Sequence, residues 1–137
     1  MILTVTDVAE VTAGFGTADR QHIYCGKMQD KKDCCIGIYN LNRSGEPREV
    51  VGGDVNSSYR EKRVSFLVHW NKSISKTEET ADALYRKVKE IRNVTVNHKR
   101  ILFTRMLTDA PVDVGTDDAG IYEMVIEAVF YYERKEI

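Results

Sequence analysis

The sequence is poor in the features that mark several special classes of protein. Two prolines in 137 residues are too few for a collagen-like or proline-rich chain. Twenty basic residues against 21 acidic ones give a net charge of −1, so the positive excess of a dedicated nucleic-acid binder is absent. No apolar run approaches the roughly 20 residues that cross a bilayer, and no signal-peptide pattern precedes Asp7 and Glu10. These absences predict a soluble, intracellularly made protein with one domain over residues 1–137.

Cysteine is also scarce, and its odd count argues against a disulfide framework. The three cysteines are Cys25, Cys34 and Cys35. With His22 they offer the residue types that bind zinc, but neighbouring cysteines on a strand point to opposite faces. No C-x-x-C pair is present either. We therefore predict reduced, partly buried thiols, with no bound metal and no cofactor.

Helix patterns occur in two places. The spacing of apolar residues predicts one long helix over residues 76–91, with a single stripe formed by Ala81, Leu84, Val88 and Ile91. Ser75 and Glu78 read as a capping box at its start. Residues 5–13 predict a short N-terminal helix that ends in the glycine-containing stretch 14–19.

Strand patterns surround the long helix. In the longest segment, residues 121–133, the even-numbered side chains from Tyr122 to Tyr132 form an apolar face, while Glu123 and Glu127 lie opposite. One-sided alternation of this kind is typical of antiparallel sheets. Residues 22–25 and 35–41 read as a pair joined by a hairpin loop over 26–33. The sequence therefore predicts an α+β fold, mainly an antiparallel sheet packed against the helices. The predicted strands are 22–25, 35–41, 64–70, 101–107 and 121–133.

The segment 109–120 is rich in carboxylates. Its four aspartates, with Gly115 and Gly120 among them, offer oxygen ligands for calcium or magnesium. The spacing is not that of an EF-hand, and aspartate and glycine are also ordinary turn-forming residues. A solvated loop is the preferred interpretation, and a metal-dependent hydrolase is kept as an alternative. The aspartates are Asp109, Asp113, Asp117 and Asp118.

No other motif gives a positive case for an enzyme. The Gly52-Gly53-Asp54 run lacks the rest of a phosphate-binding loop, so we predict a bend that leads into a strand. His69 alternates with Val68 and Trp70, and a lone strand histidine is more often packed or surface-exposed than a general base.

Basic residues form two small clusters, at positions 60–63 and 98–100. They offer contacts to a phosphate backbone, which keeps a nucleic-acid-binding module as a further alternative. Each cluster flanks a predicted strand, where charges also protect sheet edges. With a net charge near zero, the solvated-edge interpretation is preferred.

The order of several short strings points to a known family. Between residues 22 and 134 the chain resembles the minor capsid, or tail terminator, family carried by phages and prophages of Gram-positive bacteria. The strings are 23–27 (IYCGK), 35–39 (CIGIY), 52–59 (GGDVNSSY), 68–72 (VHWNK), 77–81 (TEETA), 113–118 (DVGTDD), 120–123 (GIYE) and 130–134 (FYYER).

The resemblance implies a virion structural protein at the head–tail junction, made in the host cytoplasm and without enzymatic activity. Such a protein would cap the tail tube as a six-fold homo-oligomeric ring and contact the tail tube protein and head connector proteins. DNA would pass through the ring without specific contacts, and no membrane is involved. The alternative on the same virion is a stopper or head-completion protein. The polar segments 52–59 and 113–118 supply the candidate interface residues Gly52, Gly53, Asp54, Asn56, Tyr59, Asp113, Asp117 and Asp118.

Overall fold

A computed structural model describes residues 2–26, 33–41 and 50–135 of the chain. Within these ranges, seven strands form one sheet and two α-helices pack against one of its faces. This arrangement confirms the predicted α+β class. In chain order the elements are α1 (Val5–Ala13), β1 (Ile23–Cys25), β2 (Cys35–Asn40), β3 (Tyr59–His69), α2 (Ile74–Lys89), β4 (Arg92–Val96), β5 (Lys99–Met106), β6 (Val112–Thr116) and β7 (Tyr122–Glu133).

Strand β7 is the centre of the sheet. The strand order is β1-β2-β3-β7-β5-β4, and β6 also pairs with β7. On one side β3 pairs with β7 over eleven residues, and on the other side β5 and β6 pair with successive halves of β7. Every pair except β1 with β2 is antiparallel.

The predicted hairpin between the first two strands is wrong. Strands β1 and β2 are parallel, with Ile23 beside Ile36 and Cys25 beside Ile38, whereas a hairpin joins antiparallel strands. The polar residues between the strands indicated where each strand ends, but turn-forming residues do not fix the direction in which the next strand pairs. Of the predicted loop, residues 27–32 lie outside the described residues.

The core lies between the helices and the even-numbered face of the central strands. The predicted faces are confirmed there, because Val64, Phe66 and Val68 of β3 are fully buried and Trp70 packs at their edge. The stripe of α2 is buried against them, as are Leu3, Val8 and Ala9 from the N-terminal segment. No α-helix in the described part of the chain is long and apolar enough to span a membrane.

The predicted bounds of the long helix, 76–91, are both two residues too late, and Ile91 of the predicted stripe follows the helix. Helix α2 begins at Ile74, and the N-cap is Ser73, whose hydroxyl accepts a hydrogen bond from the Lys76 amide at 3.3 Å. The capping box predicted at Ser75 and Glu78 is therefore wrong. With Ser73 as the cap, Thr77 falls on the buried stripe and donates to the Ser73 carbonyl at 2.9 Å. Side-chain burial thus selects between two serines that have equal intrinsic preference for the cap.

Alanine substitutions distinguish the two serines. Ser73→Ala is expected to lower the free energy of unfolding by about 1 kcal/mol, because the Lys76 amide loses its acceptor. Ser75→Ala, on an exposed helical position, is expected to change it by less than about 0.5 kcal/mol. Urea unfolding of both variants measures the difference, and a larger loss for Ser75→Ala would contradict the assigned cap.

The N-terminal helix is confirmed at its predicted bounds. Its N-cap is Thr4, and Asp7 completes a capping box by accepting from the Thr4 amide at 2.9 Å. The same carboxylate accepts from Lys99 at 2.7 Å and from Asn97 at 2.8 Å. Asn97 lies in the left-handed turn between β4 and β5. Asp7 therefore joins α1 to the turn between β4 and β5.

Candidate functional site

The two predicted interface segments lie at opposite ends of the sheet. Strands β3 and β7 pair from Tyr59 with Glu133 at one end to His69 with Glu123 at the other. At about 3.3 Å per residue, this pairing separates the ends by roughly 33 Å. The segment 52–59 leads into the first end, and the β6–β7 turn is next to the second. The structure therefore does not bring the two sets of candidate residues together.

The segment 52–59, together with the preceding Val51, is a bend that exposes apolar side chains. Gly52 and Gly53 have φ values of 90° and 87°, which confirms the predicted role of the glycines because other residues rarely adopt this conformation. Asn56 stabilises the bend by donating to the Val51 carbonyl at 2.9 Å. Val51 and Val55 are 97% and 80% exposed. Both apolar side chains are therefore accessible to a neighbouring molecule.

This bend is also held to the end of the sheet. The Arg134 guanidinium, directly after β7, donates to the carbonyl of Asp54. The Arg134 amide donates to the Ser58 carbonyl at 3.2 Å. The exposed valines are therefore presented by a segment with fixed contacts.

The predicted loop 109–120 is shorter than expected. Residues 112–116 form strand β6, and residues 117–121 form a turn into β7. Val112 and Val114 alternate with Asp113 in this strand, but a strand pattern of only five residues is too short to outweigh the surrounding turn-forming residues. All five residues of β6 are exposed.

Two of the candidate aspartates organise the backbone locally. Asp113 accepts from the Gly115 amide at 2.8 Å, beside a β-bulge in which Gly115 has a φ of 92°. Asp117 accepts from the amides of Ala119 and Ile121, both at 2.9 Å. These hydrogen bonds account for the carboxylates at 113 and 117 as turn-stabilising groups. Asp118 is exposed at the tip.

His69 packs between the end of β3 and the β6–β7 turn. The imidazole is fully buried, with Nδ1 2.9 Å from Glu123 Oε2 and Nε2 3.6 Å from Asp117 Oδ2. It is a packed residue on the face opposite Val68, as its alternation predicts. Glu123 is its register partner on β7, and Asp117 belongs to the β6–β7 turn, where the 3.6 Å separation from Nε2 is longer than a hydrogen bond.

The described residues give no support to the metal hypotheses. They contain no group of three or more histidine, cysteine, aspartate or glutamate side chains placed to hold a metal ion. Cys25 is exposed and Cys35 is buried. Cys34 is partly buried, and burial together with the neighbouring charge of Asp33 raises the pKa of its thiol.

Several bases of the two clusters are bound to acceptors within the protein. Lys62 lies on the helix-covered face and donates to Asn40 at 2.6 Å. Lys99 binds Asp7, and Arg100 pairs with Glu133 at 3.2 Å. These partners account for the bases as stabilising groups, but the predicted place at solvated sheet edges is wrong, because β3 and β5 are each paired on both sides.

An aromatic group lies on the face of the sheet opposite the helices, here called the open face. The sequence did not predict it. Phe103 stacks on Tyr131 with ring centroids 4.5 Å apart, and Tyr59 lies 5.8 Å from the same ring. Arg105 donates to the Tyr131 hydroxyl at 3.0 Å, and this bond raises the pKa of the guanidinium. Three separate strands supply these residues, so no local sequence pattern joins them.

Comparison with known protein families shows which family the chain belongs to. The sequence model of the family described as bacteriophage tail terminator protein matches residues 11–134. The chain belongs to this family. The predicted resemblance is confirmed at the level of the phage tail terminator family, and both candidate segments lie within the match. Origin in Gram-positive prophages remains a prediction. A search of curated proteins finds no match.

Membership places the chain among phage structural proteins. A bacteriophage tail terminator is a component of the virion that interacts with other virion proteins. Asp113 and Asp117 serve as turn-stabilising groups in this chain.

Proposed function

We propose that this chain caps the tail tube at the head–tail junction, stops tube polymerisation and provides the surface on which the head docks. The observation that carries the proposal is the tail terminator match over residues 11–134, which includes every described strand. The protein acts in this role without catalysis or cofactor. It is made in the host cytoplasm and then incorporated into the virion.

A closed ring of six copies is the proposed form. A small subunit reaches closed cyclic symmetry through heterologous contacts, in which one surface of each copy meets a different surface of the next. The sheet supports such contacts because its two lateral boundaries are formed by different strands. A net charge of −1 suits a ring through which DNA passes, because few excess cations are available to hold the phosphates.

The two candidate segments serve different neighbours in this proposal. They lie at opposite ends of β3 and β7, so one end of each subunit faces the tail tube and the other faces the head connector. The bend offers the exposed Val51 and Val55, whereas the turn offers the exposed carboxylate of Asp118.

Paired variants test this division. The first variant is Val51→Asp with Val55→Asp, the second is Asp118→Lys, and the control is Glu79→Lys on the exposed side of α2. All three change exposed side chains, so stability should change by less than about 0.5 kcal/mol per site. We expect one variant to lose capping of tail tubes in vitro. The other is expected to keep capping but lose attachment of heads to the capped tails.

The control separates a specific effect from a general one. Glu79→Lys should match the unmodified protein in both assays. If both segment variants also match it in both assays, or if both fail at the same step, the division of contacts is wrong.

A further inference from the structure

One buried nitrogen of His69 has no hydrogen-bond partner in the fold. The imidazole is fully buried at the end of β3. Its Nδ1 lies 2.9 Å from Glu123 Oε2, within hydrogen-bond distance. Its Nε2 has no hydrogen-bond partner, and Asp117 Oδ2 lies 3.6 Å from it. A buried polar atom without a partner is uncommon in folded proteins and calls for an explanation.

In the described part of the chain, the titratable side chains that face this imidazole come from three elements. Glu123 is level with His69 on β7, and Cys35 is level with it on β2. Asp117 faces it from the β6–β7 turn. Cys35 is buried, and its Sγ donates to the Asp33 carbonyl at 3.5 Å. The two charged side chains beside the ring nitrogens are therefore carboxylates of the same sign.

A neutral imidazole satisfies only one of these carboxylates. It has one N–H donor and one acceptor nitrogen, whereas an ionised carboxylate only accepts. The short contact with Glu123 places the N–H on Nδ1. Nε2 then presents a lone pair to the Asp117 carboxylate, so that two acceptors face each other in the protein interior, which is unfavourable. A separation of 3.6 Å fits this arrangement.

A second proton on the ring removes this conflict. An imidazolium donates from both nitrogens, and a charge-assisted N–H···O contact has a length of about 2.8 Å. Nε2 would then donate to Asp117 Oδ2, while Nδ1 keeps its hydrogen bond to Glu123. Histidine is the side chain that ordinarily gains or loses a proton between about pH 5 and 8, where carboxylates are ordinarily ionised.

The β6–β7 turn can respond to this proton without opening. Asp117 Oδ1 accepts from the Ala119 and Ile121 amides, both at 2.9 Å, so Oδ2 is the oxygen directed at the imidazole. The Gly120 amide closes the turn further by donating to the Asp117 carbonyl at 3.0 Å. A change at Oδ2 therefore shifts a closed turn relative to His69.

We propose that His69 is a proton-dependent clamp for the β6–β7 turn. A proton on Nε2 draws Asp117 and the turn toward the end of β3, and loss of that proton lets them separate. The clamp goes beyond the proposed function and does not depend on it. It couples one proton to the position of Asp118, the exposed residue at the tip of the turn.

Nuclear magnetic resonance of the isotope-labelled full chain tests the clamp between about pH 5 and 8. Ring correlation spectra report which nitrogens of each histidine carry protons, and His22 and His98 serve as internal references outside the turn. We expect His69 to change from the imidazolium to the neutral form with its N–H on Nδ1 as the pH rises. The amide signals of Ala119 and Ile121 should shift with the same midpoint.

Two asparagine variants separate the clamp from a general effect of charge. Asp117→Asn keeps Oδ1 as the acceptor for the turn amides and directs an amide donor at Nε2, which suits the neutral imidazole. Its turn amides should therefore lose the shift that follows His69. Asp118→Asn removes the neighbouring charge at the exposed tip, and its turn amides should follow His69 as in the unmodified protein.

The titration of the unmodified protein decides the inference even if a variant fails to fold. A His69 ring that keeps one protonation state throughout, or turn amides that do not follow the ring, would overturn the clamp. An equal shift in Asp117→Asn would also overturn it, because the amides would then respond to another group. Capping of tail tubes is measured separately, so failure of the clamp leaves the proposed function standing.

Discussion

Replacing Asp7 with alanine is expected to lower the free energy of unfolding by about 3 kcal/mol, in the range for breaking a buried ion pair. The carboxylate is buried and accepts hydrogen bonds from the Thr4 amide, Asn97 and Lys99. Its loss removes the capping box of α1 and leaves the Lys99 ammonium without its partner. Burial lowers the pKa of the neighbouring Lys62, and the charge of Asp7 counteracts that effect.

Glu10 provides the matched control on the same helix. Its carboxylate is half exposed and lies 3.8 Å from Arg20, so Glu10→Ala should cost less than about 1 kcal/mol. Urea unfolding followed by the fluorescence of Trp70, the single tryptophan, measures both variants. Equal losses for the two variants would contradict the role assigned to Asp7.

The contribution of Asp7 is also expected to depend on pH. Burial raises the pKa of its carboxyl, but the hydrogen bonds from Lys99, Asn97 and Thr4 outweigh burial and bring it below the ordinary value of 3.8. The folded protein therefore favours the charged form, and this stabilisation is present above pH 3.8 and lost as the pH falls through the lowered pKa. The stability difference between the unmodified protein and Asp7→Asn should be constant above about pH 5 and shrink below it.

Truncating Phe130 is expected to have the largest effect on stability. Phe130→Ala should lower the free energy of unfolding by about 4 kcal/mol, because it removes a buried ring and leaves a cavity. The side chain is fully buried on the central strand, level with Lys62 of β3 and Thr104 of β5, with its ring 6.2 Å from that of Phe66.

Phe103 is the control for this substitution. It is 41% exposed on the open face and stacks on Tyr131, so Phe103→Ala should cost about 1 kcal/mol, the scale of one aromatic pair. A smaller loss for Phe130→Ala than for Phe103→Ala would place the core on the other face of the sheet.

Much of the fold follows from local periodicity. The stripe of α2 and the alternating faces of β3 and β7 depend on side chains that are close in sequence, which is why they could be predicted. Their burial confirms the predicted faces. The direction of β1 relative to β2 is a different kind of property. Ile23 pairs with Ile36 in a parallel arrangement. The composition of the segment between the two strands does not encode whether they pair parallel or antiparallel.

The start of α2 and the strand β6 show a second limit of prediction from the sequence. Ser73 and Ser75 have equal cap chemistry, and only the burial of Thr77 in the finished core separates them. Strand β6 exists because the N-terminal half of β7 offers an unpaired edge beyond β5. Its residues Val112 and Val114 alternate correctly, but the glycine and aspartates around them favour turns equally well.

The positions of the two candidate segments in the fold were predictable in part. Turn composition located both segments and the glycine bend at Gly52 and Gly53. Their separation to opposite ends of the sheet depends on the eleven-residue pairing of β3 with β7. The contacts of His69 with Glu123 and Asp117 likewise join residues that are distant in sequence. Such pairings become visible only in three dimensions.

The most direct measurement of the proposed function is the capping of tail tubes. Purified protein is incubated with tail tubes that lack a terminator, and the tubes are imaged by negative-stain electron microscopy. We expect tubes of uniform length with a ring at one end. Tubes that keep extending, with no added density at either end, would contradict capping and would point to a stopper or head-completion protein on the capsid side.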